Sequence, residues 1–408
     1  MKIAIIHPDF NIKGGAENVI LWLCEDLVKK PGWEITVFSG DFSGCESRLQ
    51  NIAGLKIKKI YVPGIFKNSQ IGRLFFATFF LKKNLKNFDV VNPHNYPASL
   101  WVGVANILSG KKLPKIVWSC NEPTRFLYRK ICNAHTPENL QVLHFELNED
   151  LTIKMSSRVK FFLKNTYKPV LRYIDKKAVR TFRRILTLSD FVGEQVKKIY
   201  GAENVFTCYA GIKIIKENNF VPKKDTNRFF LTVSRLDGCK NIQNVIGVFN
   251  SLKKEDTLKE VKYYIVGQGP FENYLKNLIK KYNLENQVKM LGYISREELL
   301  SHYSNCTAVI YIPYDEPFGL PYLEAAVFSK PAIASNHGGP SEIVVHNKTG
   351  LLVNPSDLDD ITQAVKKIFQ NNSETEKMGQ RAFYQLKEIF LRDKYIERFI
   401  TSINAEFG

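Results

Sequence analysis

Two glutamates, separated by seven residues, lie in one short stretch between an expected strand and an expected helix. Residues 308–312 read as the strand, and Pro321 suits the first helical turn, where a missing N–H costs nothing. Glu316 then falls on the loop and Glu324 just inside the helix. Backbone N–H groups at a helix start bind anions, phosphate above all, and here they belong to Phe318, Gly319 and Leu320. Two carboxylates beside a phosphate cradle suit a sugar attached to a diphosphate.

Two basic residues, Arg235 and Lys240, follow a second expected strand at 229–233. When a bond to a diphosphate breaks, the leaving group gains negative charge, and fixed cations aimed at it stabilise the transition state. Arginine offers a planar fork of donors and lysine a compact charge. The alternative interpretation is that both are ordinary surface bases.

A glycine pair lies between the first expected strand, residues 2–7, and the first expected helix, residues 16–30. Glycines at this point let a phosphate or a sugar approach the backbone at a helix start, or they simply form a turn. The loop contributes four candidate site residues: Lys13, Gly14, Gly15 and Glu17. Lys13 could bind an acceptor phosphate.

A histidine, His94, follows a third expected strand at 90–92. Ligand sites in open parallel sheets lie at the carboxyl ends of strands, so His94 and its neighbour Asn95 are candidate site residues. A lone histidine is also often a hydrogen-bonded structural residue, and that interpretation stays open.

Short apolar runs alternate with helical patterns along the chain, which is typical of α/β proteins with parallel sheets. The expected strands cover residues 2–7, 34–39, 90–92, 116–119 and 185–188, then 229–233, 263–266, 288–291, 308–312 and 331–334. Two successive arrays predict two Rossmann-like, doubly wound domains. The polar stretch 212–226 predicts the boundary, which gives domains of 1–211 and 212–386.

The composition fits two globular domains. The chain has 408 residues, 44% of them hydrophobic, so each half can bury its own core. Its seven cysteines include no C-x-x-C pair, which argues for a reducing compartment and against disulfides or a zinc site. The sequence contains no run of 18 apolar residues and no secretory signal. We therefore expect a cytoplasmic protein, either free or peripheral on the cytoplasmic membrane face.

The net charge of +18 is concentrated in the first half, since residues 1–208 carry +15. Between 151 and 184, eleven lysines and arginines stand against one acid, Asp175, and alternate with aromatic and aliphatic residues. Such a segment can lie on an anionic membrane surface, or it can be a surface helix whose charges are solvated. No nucleic-acid motif accompanies the charge, so we expect no nucleic acid as a partner.

The stretch around Glu316 resembles the donor-site signature of the family-4 retaining glycosyltransferases, which have the GT-B fold. Other motifs of that family follow in the same order: residues 1–17 resemble its first strand and glycine loop, 233–241 its phosphate clamp, and 266–270, 291–293 and 338–344 its later loops. Each motif alone is weak, but the ordered set is specific.

The resemblance implies two domains facing across a cleft, with a helix near 387–408 packing back onto the first domain. A nucleotide-diphosphate sugar would bind the second domain and a hydroxyl acceptor the first. Transfer would retain the anomeric configuration, and Arg235 and Lys240 would replace a metal, so neither metal nor cofactor is expected.

The resemblance also implies roles for single residues. Glu316 and His94 would lie near the donor sugar, and Glu324 would accept hydrogen bonds from the ribose. Further donor contacts are implied at Gly14, Gly15, Gly267, Tyr293, Phe318, Gly319 and Leu320, and acceptor contacts at Lys13, Glu17 and Asn95. The chain departs from the family at Pro317, often glycine there, which removes one N–H and alters the sugar contact.

The opening from His7 to Glu17 resembles mannosyltransferases that build lipid-linked oligosaccharides from GDP-mannose. With the basic first half, this favours mannose as the donor sugar and a polyprenyl-diphosphate-linked or polysaccharide acceptor. Several alternatives remain open: a UDP-sugar-dependent transferase of the same fold, a non-hydrolysing nucleotide-sugar epimerase or a phosphorylase, and a basic membrane-surface binding protein without catalysis.

Overall fold

The chain forms two compact units. The computed structural model describes residues 1–11, 14–67, 69–140, 157–214, 228–253 and 260–405, with only the backbone for 157–166. The first unit is drawn from Met1–Cys132, Leu151–Gly211 and Arg392–Gly408, and the second from Asn133–Asp150 and Ile212–Leu391.

The first unit is built on a seven-stranded parallel sheet with the strand order β3-β2-β1-β4-β5-β6-β7. Its strands are β1 (Lys2–Ile6), β2 (Glu34–Ser39), β3 (Lys56–Lys59), β4 (Val90–Pro93), β5 (Lys115–Cys120), β6 (Arg184–Thr187) and β7 (Val205–Thr207). Its helices are Gly15–Leu27, Glu46–Gln50, Gln70–Asn84, Ala98–Leu108, Arg129–Cys132, Ser157–Val179, Asp190–Tyr200 and Arg392–Asn404, and Gly64–Phe66 forms a 3-10 turn. The central strands are apolar because helices cover both faces of the sheet.

The second unit is built on a six-stranded parallel sheet with the strand order β10-β9-β8-β11-β12-β13. Its strands are β8 (Phe229–Val233), β9 (Lys262–Val266), β10 (Val288–Gly292), β11 (Ala308–Tyr311), β12 (Ala332–Ser335) and β13 (Gly350–Val353). Its helices are Ile242–Leu252, Glu272–Lys281, Arg296–Asn305, Leu320–Val327, Pro340–Ile343, Leu358–Gln370 and Asn372–Ile389, and Gly238–Lys240 forms a 3-10 turn.

Each sheet reverses its strand order at one place, between β1 and β4 in the first unit and between β8 and β11 in the second. Loops that leave the carboxyl ends of two such strands run to opposite faces of the sheet and open a crevice, which is where open α/β sheets bind ligands. The two doubly wound sheets confirm the fold predicted from the sequence.

All ten predicted strands are present, with no end shifted by more than one residue, and three further strands were missed. The missed strands β3 and β7 are edge strands with partly or fully exposed residues. β3 is mostly lysine and β7 has only three residues, so neither shows an apolar run. The third, β13, is apolar but short and also lies at an edge.

The structure differs from the expected domain limits in two places. Residues 133–140, placed in the first domain from sequence, belong to the second unit, where Leu140 packs against its core. The helix expected near 387–408 is interrupted, because Asn372–Ile389 ends before the buried Phe390 and a new helix begins at Arg392. Only this last helix joins the first unit.

The basic segment 151–184 is described in part. Its helix, Ser157–Val179, packs through Ala178 against Gly103, where an added Cβ would lie 2.5 Å from the alanine Cβ. Val170 and Tyr173 of the same helix are exposed. Lys13 lies outside the described residues. None of the helices in the described part of the chain is long and apolar enough to cross a membrane.

Candidate active site

Lys240 and Glu316 meet at the strand reversal of the second unit. Lys240 follows β8 and Glu316 follows β11, and these two strands are neighbours. The lysine Nζ lies 2.7 Å from Glu316 Oε2, which also accepts a hydrogen bond from the Tyr311 hydroxyl at 2.8 Å. Burial lowers the pKa of Lys240, but the charge of Glu316, smaller effects of Tyr311 and Cys239 and the hydrogen bond to Glu316 together outweigh burial, so the pKa is held well above the usual value. The pair is therefore a preformed lysinium–carboxylate contact.

Backbone contacts hold the loops of this pair together. The Tyr314 N–H donates to Cys239 O at 2.8 Å, which links the loop of Lys240 to that of Glu316. The Gly339 N–H donates to Glu316 O at 2.9 Å. A Cβ added at Gly339, in the 338–344 motif, would lie 2.3 Å from Pro317 O, so close packing on this loop requires a glycine there.

Arg235, predicted as the second cation, has a half-exposed side chain after β8. Its Nε lies 3.5 Å from Asp237 Oδ2, and Asp237 is buried. Arg235 thus lies on the same loop as Lys240, with more freedom to reach a ligand.

The predicted phosphate cradle is the start of the helix Leu320–Val327. Gly319 caps it with a φ of 120°, a conformation that favours glycine, and Pro321 lies in the first turn. The N–H groups of the first turn have no carbonyl partner within the helix, and the helix dipole favours an anion there. Phe318, just before the cap, is buried.

Glu324 points from this helix to a buried tyrosine. The Tyr303 hydroxyl donates to Glu324 Oε2 at 2.5 Å. Burial raises the pKa of Glu324, against the hydrogen bond from Tyr303 and the charge of Arg296, which lower it. Sequence reasoning did not identify Tyr303, which lies on the preceding helix.

Gly267 and Tyr293 lie at the same edge of the second sheet, after β9 and β10. The Gly267 N–H donates to Gly292 O at 2.8 Å. Gly267 has a φ of 132°, and an added Cβ would lie 1.9 Å from Ser234 O, so only glycine fits. Tyr293 is largely exposed. These loops adjoin the loop of Arg235 and extend the edge on which a nucleotide could lie.

Asp315, which the sequence analysis did not single out, anchors residues 135–136 beside the Glu316 loop. It is fully buried, and its Oδ2 accepts hydrogen bonds from the N–H groups of His135 and Thr136 at 3.0 and 2.8 Å. His135 Nδ1 lies 2.7 Å from Oδ1, and the His337 ring lies at a tilt against the His135 ring, with 4.3 Å between centroids. Among the described residues, these three side chains are the group that could hold a metal ion. Their separation of 180 residues along the chain hides the contact from sequence reasoning.

His94 lies at the strand reversal of the first unit, after β4. It is buried, and its Nε2 lies 2.7 Å from Asn92 Oδ1. Burial, with a smaller effect of His7, lowers the pKa of His94 to about 3. His94 is therefore neutral near pH 7, and Nε2 carries the proton because the Asn92 amide donates to Val117 O and Ser119 Oγ. His94 can accept or donate a hydrogen bond but cannot act as a cationic acid.

The glycine loop after β1 lies on the other side of this reversal. Gly14 caps the helix Gly15–Leu27, and an added Cβ would lie 2.5 Å from Glu17 Oε2, so the glutamate folds back over the loop. Glu17 Oε1 lies 3.4 Å from His7 Nε2. Asn95 has a φ of 57°, and its Oδ1 accepts a hydrogen bond from the Asn121 N–H, which is a structural contact.

Two families of known proteins match the two halves of the chain. Glycosyltransferase Family 4 matches residues 13–214, and Glycosyl transferases group 1 matches residues 214–385. The chain is 26% identical over 407 residues to the alpha-1,3/1,6-mannosyltransferase ALG2 of Dictyostelium discoideum, a match that covers 93% of this chain and 92% of that protein.

Two further similarities extend this finding. The O-antigen chain mannosyltransferase RfbU of Salmonella typhimurium is 27% identical over 211 residues, covering 51% of this chain and 56% of that protein. The crystal structure of Anabaena HepE in complex with UDP and glucose shares the fold, with a TM-score of 0.73, 17% identity and 99% of both chains covered. The chain therefore belongs to the GT-B glycosyltransferases, with a family-4 domain in its first half and a group 1 domain in its second.

Proposed function

We propose that this glycosyltransferase moves mannose from GDP-mannose to a hydroxyl of a lipid-linked or polysaccharide acceptor, with retention of configuration. The main support for the donor site is the contact between Lys240 and Glu316 at the strand reversal, beside the start of the helix Leu320–Val327. Cations, a carboxylate and a helix start at one point suit a diphosphate joined to a sugar.

The donor diphosphate would bind Lys240, Arg235 and the N–H groups of Gly319 and Leu320. As the glycosidic bond breaks, negative charge grows on the leaving phosphate, and these groups stabilise it. Glu316, released from Lys240 by the incoming phosphate, would accept hydrogen bonds from the sugar hydroxyls. Glu324 would accept them from the ribose, and Tyr293 would pack against the base.

The acceptor would bind the first unit, near Lys13, Gly14, Gly15, Glu17 and Asn95. Neutral His94 would hydrogen-bond a hydroxyl of the donor sugar rather than protonate it. The leaving phosphate would assist deprotonation of the acceptor hydroxyl, so catalysis rests on positioning and electrostatics.

Mannose and a lipid-linked or polysaccharide acceptor are supported by the mannosyltransferases ALG2 and RfbU, which the chain resembles. The anionic membrane face that carries such a lipid would be a partner of the basic segment 151–184. A UDP-sugar donor is the second candidate, because HepE, which shares the fold, was crystallised with UDP and glucose.

Thermal shift tests the donor site. The melting temperature of the wild type and of Lys240→Ala is measured with GDP, UDP, ADP and their sugars. We expect a GDP-selective rise that the variant loses. Lys276→Ala is the matched control, because Lys276 also lies 2.7 Å from a glutamate but on an exposed helix of the same unit. A UDP-selective rise would overturn GDP-mannose, and no rise with any nucleotide would overturn the donor site.

Transfer itself is tested with GDP-mannose and a polyprenyl-diphosphate-linked oligosaccharide. The product linkage is read by NMR, and an α-linked mannose is the expected result, since the donor is α-linked and configuration is retained. A β-linked product would overturn retention.

A further inference from the structure

We propose that an apolar and basic surface on the first unit docks this protein onto an anionic lipid bilayer. The docking surface consists of Tyr61, Ile65, Phe66, Ile71, Phe75 and Phe79. It is separate from segment 151–184. The inference rests on the proposed function, in which the acceptor is linked to a lipid.

The docking surface concentrates exposed apolar side chains. Six of the sixteen large apolar side chains that are exposed in the described part of the chain fall between residues 61 and 79. Ile65 and Ile71 are 86% and 79% exposed. Soluble proteins scatter such residues singly, and a cluster marks an interaction site.

Contacts join most of these side chains into one continuous surface. Ile71, Phe75 and Phe79 recur every fourth residue on the helix Gln70–Asn84 and share one face, while Ala77 and Leu81 are buried on the other. The rings of Phe75 and Phe79 lie 4.7 Å apart, and Phe76 contacts both Phe75 and Phe66, at 5.3 and 5.2 Å.

The turn Gly64–Phe66 packs tightly on this helix. A Cβ added at Gly72 would lie 2.7 Å from Phe66 Cβ, so the glycine lets the turn approach. Ile65 is held beside the helix and extends the exposed surface.

The stretch of sequence that forms the docking surface has charged residues of one sign only. Residues 47–88 contain nine lysines and arginines and no aspartate or glutamate. Acids from outside this stretch pair with Lys56 and Arg73, through Glu34 at 2.8 Å and Asp9 at 2.6 Å. The remaining lysines that pair with no carboxylate among the described residues include Lys58, Lys67, Lys82, Lys83 and Lys86.

Two of these lysines continue the apolar face, since Lys82 and Lys83 lie in the last turn of the helix Gln70–Asn84. Lys58 reaches the same end, where its Nζ donates to Asn84 Oδ1 at 2.9 Å. An aromatic and aliphatic face with lysines at its rim fits the boundary between lipid headgroups and acyl chains, where the lysines meet phosphates.

Other occupants fit this chemistry less well. Nucleic acid would use the lysines, but the two most exposed residues, Ile65 and Ile71, offer nothing to a base or a phosphate. A second copy of the chain would bring two predominantly basic surfaces together, and like charges repel.

Vesicle co-sedimentation of the full chain tests the proposal. Vesicles of phosphatidylcholine are compared with vesicles that also contain phosphatidylglycerol. We expect the wild type to sediment with the anionic vesicles only. Two double variants should each weaken binding to the anionic vesicles by about ten-fold or more. They are Phe75→Ser with Phe79→Ser, and Lys82→Glu with Lys83→Glu.

The second unit offers matched controls. Tyr274 and Tyr384 are exposed aromatic residues on its helices, and Lys280 and Lys281 lie in the last turn of the helix Glu272–Lys281. Two control variants should leave vesicle binding within about two-fold of the wild type. They are Tyr274→Ser with Tyr384→Ser, and Lys280→Glu with Lys281→Glu.

Three outcomes would overturn the docking surface: no binding of the wild type to anionic vesicles, unchanged binding of both first-unit variants, or equal losses in the controls. A concentration-dependent dimer that Phe75→Ser with Phe79→Ser abolishes, without vesicle binding, would assign the surface to a second copy instead. The GDP-dependent melting shift is measured on the same variants. If it is absent from the wild type, the proposed donor site fails while the vesicle result still stands.

Discussion

The Lys240 ammonium lies 2.7 Å from the Glu316 carboxylate, and both side chains are largely shielded from water. The two residues follow neighbouring strands, so the contact ties together the two loops on which the donor diphosphate would bind. In the proposed function the two side chains would bind different parts of one substrate, and in this structure they neutralise each other.

Lys240→Met should lower both stability and rate. Removing the ammonium leaves the largely buried Glu316 carboxylate without the compensating charge of Lys240, at a cost of about 3–5 kcal/mol in the free energy of unfolding. Loss of a cation on the leaving group should lower kcat by roughly 10²–10³-fold. Urea unfolding and initial rates of transfer measure the two effects.

The double variant Lys240→Met with Glu316→Gln separates the effect on stability from the effect on the rate. It removes both charges, so most of the lost stability should return while the rate stays low. An unchanged rate in Lys240→Met would contradict the role of Lys240 at the diphosphate.

Tyr303→Phe should weaken donor binding. The hydroxyl donates to Glu324 and lowers its pKa, so its loss should raise that pKa further and leave less carboxylate for the ribose. We expect the KM for the donor to rise by about ten-fold with little change in kcat. Tyr263→Phe is the control, since the buried Tyr263 hydroxyl contacts only neutral Thr232 Oγ1 among the contacts described. Equal effects of the two variants would argue against a specific role of Tyr303.

His94 should make the fold sensitive to acid. Its pKa is about 3 in the folded protein and about 6.5 when unfolded, so the unfolded chain binds the proton first as the pH falls below 6.5. The stability of the wild type relative to His94→Gln should fall by about 2 kcal/mol from pH 7 to pH 5. Urea unfolding of both proteins at the two pH values measures the difference, and a constant difference would show that His94 titrates normally.

Asp175 should change the stability with pH in the direction opposite to His94. Burial raises its pKa to about 6, although the hydroxyls of Tyr200 and Tyr128 donate to Oδ2 at 2.9 Å and lower it. Because the folded state then binds the proton more tightly than the unfolded chain, stability rises as the pH falls through 6. The wild type should gain about 1 kcal/mol relative to Asp175→Asn from pH 7 to pH 5, as measured by urea unfolding. A relative loss over that range would show that Asp175 is already ionised and well paired near pH 5.

The sequence predicts most of the framework of this protein, because central strands are apolar runs and helix starts have a local signature. The stretch around Glu316 is such a case, and Pro321 and Gly319 stand where the helix begins. Edge strands such as β3 were missed because exposed lysines carry no apolar pattern.

Contacts between distant segments were beyond prediction. Nothing near Asp315 indicates that His135 lies against it, and nothing near Glu324 indicates Tyr303. The neutral state of His94 likewise follows from burial, which depends on the whole sheet and not on the residues beside it.

Arg392 makes the order of synthesis matter. Its guanidinium contacts Asp26 and Glu25, and it donates to Trp22 O at 2.8 Å, so the helix Arg392–Asn404 completes a unit that begins with β1. The ribosome delivers the first unit's sheet early, and it delivers this helix only after the second unit. The surface of the first unit that this helix covers therefore stays exposed until the whole second unit has left the ribosome.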